Sequence, residues 1–225
     1  MSLQCRPVKS PRRHDLVFVT RDGWRAMLAN RSELAADPLI AQWVENGWPL
    51  IGRRAMPDDG DGVPLGLPMP PFAGKRRLSF VMPPETIAAV VPPLSLQAVM
   101  RDAPEPWQPT LDALCELGAE HWVDVRVCGG LACQALTSLS YLTESSDLDV
   151  LIYVHRGIDI RALTAGIAGI EYGAPMRVDG ELIREDGAAV SWREIHDGAE
   201  EVLVKTVASV ALVASQSFVS GGMPS

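Results

Sequence analysis

The sharpest pattern lies in the second half of the chain, where the apolar period switches repeatedly between helix and strand. Leu111, Leu114, Cys115 and Leu117 recur at helical spacing, with Thr110 suited to cap the helix and Gly118 to close it. Val123, Val125 and Val127 then alternate with Asp124 and Arg126, which predicts a strand with one buried face, ending at Gly129-Gly130. A helix over residues 131–142, a polar loop over 143–146 and an apolar strand over Leu148–Val154 follow. Beyond them come a helix over 158–170 and two strand-like runs, 176–183 and 188–195. Glu185-Asp186-Gly187 between those runs is a hairpin signal. The apolar stretch 202–213 fits either a bent strand or a short buried helix. This order predicts an α/β layer on a small mixed sheet.

The first half is less regular. Strands are predicted over 16–19, 48–54 and 76–82, with a helix over 38–45. Residues 57–74 are rich in Asp, Gly and Pro and read as a surface loop. Prolines crowd 83–93 and 102–109, which places a boundary near residue 93. The expected organisation is α/β (α+β): a smaller α+β N-terminal domain over 1–92 and a catalytic domain over 93–225.

Composition adds little to this and removes a few alternatives. At 47% hydrophobic and 21% charged residues, the chain has the balance of a folded globular protein. Its longest apolar stretch, 206–219, contains Ser209, Ser215 and Gln216 and is too short to span a bilayer. The basic N-terminus, with Arg6, Lys9, Arg12 and Arg13, is not followed by the apolar region of a secretion signal. Cys5, Cys115, Cys128 and Cys133 form no C-x-x-C pair and read as reduced thiols, so a cytoplasmic location is expected. Charge is more informative. The net charge is −8, yet residues 1–77 carry +4 and the remainder −12. A basic half for a polyphosphate beside an acidic half for a divalent metal would have this asymmetry, as would two solvated surfaces of different composition. No basic tract with interleaved aromatics points to nucleic acid.

The candidate chemistry sits at Asp147-Leu148-Asp149. At a strand start, carboxylates at i and i+2 point to one side while Leu148, Val150 and Ile152 point to the other. Two such acids repel unless a cation lies between them, and hard oxygen donors suit Mg²⁺ shared with a phosphoryl group. Gly129-Gly130, between a strand and a helix, would let phosphate approach the main chain at the positive end of the helix dipole. A third carboxylate is available on the 176–183 run, where Asp179 is the first choice and Glu181 the second. Lys205, after Val202–Val204 in sequence, is placed to meet leaving phosphates.

Strand, Gly-Gly, helix and Ser146-Asp147-Leu148-Asp149-Val150-Leu151 together resemble the signature of polymerase-beta-like nucleotidyltransferases. The resemblance implies Mg²⁺ on Asp147, Asp149 and Asp179, with Gly129, Gly130, Ser146 and Lys205 toward the triphosphate. Gly130 stands where serine is common in that superfamily. More specifically, the chain is similar to the phosphoribosyl-dephospho-CoA transferases of malonate decarboxylase. That likeness is carried by His14-Asp15-Leu16-Val17, Leu50-Ile51-Gly52-Arg53-Arg54, Lys75-Arg76-Arg77-Leu78-Ser79-Phe80, Arg177-Val178-Asp179-Gly180-Glu181-Leu182 and Val204-Lys205. It implies transfer of the prosthetic group from triphosphoribosyl-dephospho-CoA to a serine of the acyl carrier protein subunit, with pyrophosphate leaving. Two other readings compete: a nucleotidyltransferase using ATP on a small molecule or protein, and a non-catalytic binding module of the same fold. Some of Arg53, Arg54, Lys75, Arg76 and Arg77 are expected to contact donor phosphates or an acidic carrier protein, with Lys75 and Arg77 on one strand face and Arg76 on the other.

Overall fold

In the computed structural model, which describes residues 11–206 and 209–220, the chain forms two compact units that divide between Pro93 and Leu94. Cys5, Arg6 and Lys9 lie outside the described residues. The other three cysteines form no disulfide. No helix among the described residues is long and apolar enough to cross a membrane.

The first unit is an antiparallel sheet of five strands: β1 (Leu16–Val19), β2 (Leu50–Gly52), β3 (Val63–Pro68), β4 (Arg77–Met82) and β5 (Ile87–Val91), in the order β4-β3-β2-β1-β5. Helices α1 (Arg21–Ala29), α2 (Ser32–Ala35) and α3 (Pro38–Gln42) fill the β1–β2 connection. Thr20 caps α1 by accepting from Gly23 N–H, and Asp37 caps α3, whose first residue is proline. The core joins Trp24, Ile40, Leu50, Leu65, Leu67, Phe80 and Met82. Trp24 donates its indole N–H to Ile40 O, so its one polar atom is satisfied on burial.

Two expectations for this unit are corrected. Residues 57–74 are not one loop, because Val63, Leu65 and Leu67 alternate through β3. Its prolines obscure that strand, yet Pro64 and Pro68 fall outside the short β2 ladder, which pairs only with Leu65 and Gly66. The anticipated basic face also differs. Lys75 has a left-handed backbone (φ 50°) ahead of β4, so strand alternation begins at Arg77, and Arg76 pairs with Asp37.

Arg53 is occupied within the fold. Its Nη1 and Nη2 grip Asp59 at 2.7 and 2.6 Å, and the same guanidinium donates to Leu65 O, Arg54 O and Phe80 O. Such a fork pins the turn at Pro57–Asp59 to the sheet. The hydrogen bond from Arg53, and then that from Met56 N–H, lowers the Asp59 carboxyl to about 2 from an ordinary 3.8. A depressed carboxylate stabilises the fold above its unfolded value, and that contribution fades as pH falls through the folded value. Asp59→Asn is therefore expected to lower the melting temperature near neutral pH, with the gap from wild type closing between pH 3.8 and about 2. A gap independent of pH would contradict this assignment.

The second unit is a seven-stranded sheet with the order β12-β11-β10-β9-β8-β7-β6. Its strands are β6 (Leu94–Ser95), β7 (Asp124–Val127), β8 (Leu148–Val154), β9 (Val178–Arg184), β10 (Ala189–Ser191), β11 (Glu201–Lys205) and β12 (Val210–Ala214). The helices are α4 (Leu96–Val99), α5 (Gln108–Glu120), α6 (Gly129–Thr137), α7 (Ile160–Tyr172), α8 (Trp192–His196) and α9 (Ser215–Val219). The sheet is mixed, as expected: β8 and β9 run parallel, joined by the α7 crossover, and the other neighbours are antiparallel.

Period two divides this sheet into two faces. Leu148, Val150, Ile152, Val178, Leu182 and Val190 pack with Leu111 and Leu114 of α5 and Leu163 and Ile167 of α7 in the main core. The opposite face carries a small cluster of Leu151, Ile183 and Ala189, with Cys128 and Tyr153 against it. The carboxylates of interest share this second face.

Several boundaries move for local reasons. Helix α5 starts at Gln108 with Pro109 in its first turn, leaving Thr110 buried inside, and it continues through Gly118 to Glu120. A Cβ on Gly118 would lie 2.9 Å from Val125 Cγ2, so this glycine permits close packing of helix on strand. Helix α6 stops at Thr137 because Ser138 turns left-handed (φ 60°). The strand predicted over 188–195 ends at Ser191, where α8 begins. The 202–213 stretch resolves into two strands, β11 and β12, paired from Glu201 opposite Ala214 to Lys205 opposite Val210.

Candidate active site

Strand β8 opens at Leu148, so Asp147 lies just ahead of it, exposed, and Asp149 is its second residue, half-buried. In the parallel register Asp149 stands opposite Asp179 of β9, and Leu151 opposite Glu181. Two acids 30 positions apart in the chain are thus neighbours on one sheet face, while Val150 and Gly180, the next residues on each strand, face the core.

The glycine turn meets this pair directly. Cys128 N–H donates to Asp149 O at 3.0 Å, which draws the end of β7 onto β8. Gly129 follows at φ 66°, a conformation that disfavours a side chain, and opens helix α6. A Cβ built on Gly129 would lie 1.8 Å from Asp149 Oδ2. Glycine is needed there both for its backbone angle and for the space that the carboxylate fills. Gly130 is less constrained: its nearest neighbour would be Leu142 Cδ2 at 3.2 Å.

Asp147 is delivered by a loop that α6 itself holds. Gln134 Oε1 accepts from Tyr141 N–H at 3.2 Å and Leu142 N–H at 3.3 Å, while its Nε2 donates to Asp102 O at 2.8 Å. Ser146 N–H then donates to Thr143 O at 3.1 Å, and Ser146 Oγ accepts from Thr143 N–H at 2.9 Å. The hydroxyl anticipated for the donor thus closes the turn before Asp147. Removing Gln134 leaves two main-chain donors without their acceptor, at a cost of about 1–3 kcal/mol. Gln134→Ala is expected to lose that much stability in urea denaturation and to be cut faster by protease in the 138–147 loop. Unchanged stability and cleavage would contradict the role given to Gln134.

The remaining candidates separate into two groups. Asp179 Oδ1 accepts from Gly180 N–H at 3.1 Å and lies 4.0 Å from Arg177 Nη2. Glu181, the alternative third acid, is paired with Lys205 Nζ at 2.9 Å. That contact offsets both charges and ties β9 to β11. Asp179 is accordingly the acid in register with Asp149, and the Lys205 ammonium is held by Glu181.

Among the described residues no three His, Cys, Asp or Glu side chains gather as ligands of one metal ion. What the face offers is a cross-strand pair of hard oxygen donors. Mg²⁺ commonly binds through one or two carboxylates together with substrate phosphates and retained waters, and the Asp149–Asp179 pair fits that mode.

Comparison with known proteins assigns both halves of the chain. Residues 12–93 match the family model for the phosphoribosyl-dephospho-CoA transferase MdcG N-terminal domain, and residues 95–216 that for its C-terminal domain. The chain is 52% identical over 213 residues to a phosphoribosyl-dephospho-CoA transferase of Bradyrhizobium diazoefficiens, covering 95% of this chain and 94% of that one. It is 37% identical over 196 residues to that of Xanthomonas euvesicatoria pv. vesicatoria, covering 86% and 90%. With that of Azotobacter vinelandii it shares 31% identity over 220 residues, covering 90% and 92%. No solved structure matches the chain. The chain belongs to the phosphoribosyl-dephospho-CoA transferase family and is a transferase.

Proposed function

We propose that this transferase moves the phosphoribosyl-dephospho-CoA group from 2′-(5″-triphosphoribosyl)-3′-dephospho-CoA to a serine of the malonate decarboxylase acyl carrier protein subunit. The observation that carries the proposal is the register pairing of Asp149 with Asp179, with Gly129 seated against the Asp149 carboxylate. The serine Oγ attacks the α-phosphorus, forming one P–O bond as the bond to pyrophosphate breaks. In such reactions positioning and charge neutralisation supply most of the acceleration. Mg²⁺, arriving with the triphosphate, would neutralise the departing pyrophosphate and acidify the attacking hydroxyl.

The chain's own residues have distinct parts. Asp149 and Asp179 would be the cross-strand pair that holds the metal-bound triphosphate end of the donor, with Asp147, just ahead of β8, as a further carboxylate toward it. Asp179 would also accept the serine proton. Gly129 and Gly130 bring main-chain N–H groups of the α6 start toward phosphate oxygens. Lys205 acts at the site through Glu181, keeping β9 and β11 together. The reaction is placed in the cytoplasm with the decarboxylase.

The test is a donor comparison. Purified chain, carrier subunit and Mg²⁺ are incubated with triphosphoribosyl-dephospho-CoA or with ATP while pyrophosphate release is followed. Release from the CoA-derived donor, dependent on carrier and abolished by chelation, is expected. Turnover with ATP and none with the CoA-derived donor would replace this reading with adenylyl transfer. No release with either would leave a binding module.

A further inference from the structure

The residue just before Asp179 is held at both ends. Val178 N–H donates to Glu171 Oε1 at 2.8 Å, and Val178 O accepts from Arg193 Nη2 at 2.9 Å and from Trp192 Nε1 at 3.1 Å. Arg193 in turn grips Glu171, Nη1 to Oε2 at 2.6 Å and Nη2 to Oε1, and its guanidinium lies 4.4 Å over the Trp192 ring. Glu171 comes from the end of α7, and Trp192 and Arg193 from the start of α8. Three side chains on two helices therefore converge on the two peptide groups that flank Val178 in β9.

Their location explains why a clamp is useful. Strand β10 pairs with β9 only at Glu181, Leu182 and Ile183, so the entry of β9 extends beyond that ladder. On the other side Leu148 N–H donates to Arg177 O, the last backbone link before the paired acids. A slip of one residue at this end would turn Asp179 toward the core and away from Asp149. A bidentate guanidinium–carboxylate pair resists such a slip, because its fork geometry is satisfied at one separation and orientation. The bond to Arg193 holds the Glu171 carboxyl below the usual carboxylate range, so the pair remains charged through neutral pH.

We propose that the Glu171–Arg193 pair, seated with Trp192 on the Val178 peptide, is a positioning device for catalysis that fixes Asp179 in register beside Asp149. The proposal rests on the reading of Asp149 and Asp179 as the reacting pair. Neither Glu171 nor Arg193 is assigned a contact with substrate.

Glu171→Gln and Arg193→Lys in the full chain provide the test, with Ile195→Val as a control that trims the core at α8 while leaving the hydrogen bonds of Glu171, Trp192 and Arg193 to Val178 in place. Three quantities are measured: turnover with its Michaelis constant for the donor, Mn²⁺ binding without donor by electron paramagnetic resonance, and the melting temperature. Displacing a positioned group by about an ångström costs up to about 100-fold in rate. Both clamp variants are expected to lose about 10- to 100-fold in kcat with a donor KM within about twofold, and to bind Mn²⁺ several-fold more weakly while folded. Ile195→Val should lower only the melting temperature. Wild-type kcat and Mn²⁺ affinity in the clamp variants would overturn the proposal, as would an activity loss that merely follows the folded fraction. Asp179→Asn, assayed beside them, separates the two failures. If it retains full transfer, the reading of the site itself is wrong. If it is inactive while the clamp variants behave as wild type, the site stands and the clamp does not.

Discussion

Asp149→Asn is expected to reduce transfer by about 10²–10³-fold, a loss of about 3–4 kcal/mol of transition-state stabilisation, while the fold persists. The substitution keeps the side-chain volume and removes the charge at the position where Gly129, Cys128 and Asp179 meet β8. Asp147→Asn should have a similar effect on turnover and less effect on stability, because Asp147 is exposed and precedes the strand. Pyrophosphate release at saturating Mg²⁺, with circular dichroism to confirm folding, checks both. Near-normal turnover by either variant would remove that carboxylate from the reacting centre.

The second large effect concerns Gly129. Alanine there must adopt a left-handed backbone, at about 1 kcal/mol, and place its methyl where Asp149 Oδ2 now lies. Either the carboxylate rotates away or the start of α6 moves. Gly129→Ala is therefore expected to lose transfer nearly as completely as Asp149→Asn, with a stability loss of about 1–2 kcal/mol. Gly130→Ala meets the flexible tip of Leu142 at 3.2 Å and Tyr141 O at an ordinary 3.9 Å, and should retain most activity. Steady-state kinetics of the two alanine variants make the comparison, and equal effects would show that the close approach to Asp149 is not what requires glycine.

The contrast between these glycines shows how far the sequence could be read. Its pattern marks both as a turn between strand and helix, because period-two valines end there and helical spacing begins. Which of them is sterically committed depends on a carboxylate 20 positions away on β8, and local pattern carries no such distance. Strand alternation in the sequence puts Asp147 and Asp149 opposite Leu148 and Val150; in the structure Asp149 keeps that place on β8, while Asp147 lies just ahead of the strand. Alternation on the 176–183 run offers Asp179 and Glu181 on the same face, and the sequence does not separate them. In the parallel register Asp179 stands opposite Asp149, and Glu181 is bonded by Lys205.

Other features were hidden by ordinary-looking residues. Strand β3 contains Pro64, Gly66 and Pro68 and follows Gly60 and Gly62, and so reads as loop, although Leu65 and Leu67 are fully buried. Arg53 belongs to a basic cluster in sequence but spends its guanidinium on Asp59 and three carbonyls. Gln134, Glu171 and Arg193 look like polar positions on solvated helices. Their roles arise from main-chain partners 7 to 32 residues distant, a separation that only the assembled fold brings together.

The most direct measurement of the central claim is the intact mass of the carrier subunit after incubation with the chain, triphosphoribosyl-dephospho-CoA and Mg²⁺. Over the time that wild type needs for complete modification, a mass gain equal to one phosphoribosyl-dephospho-CoA group is predicted with wild type, almost none with Asp149→Asn, and none with a carrier whose acceptor serine is alanine. An unmodified carrier with the folded wild-type chain, or the same mass gain with Asp149→Asn, would contradict it.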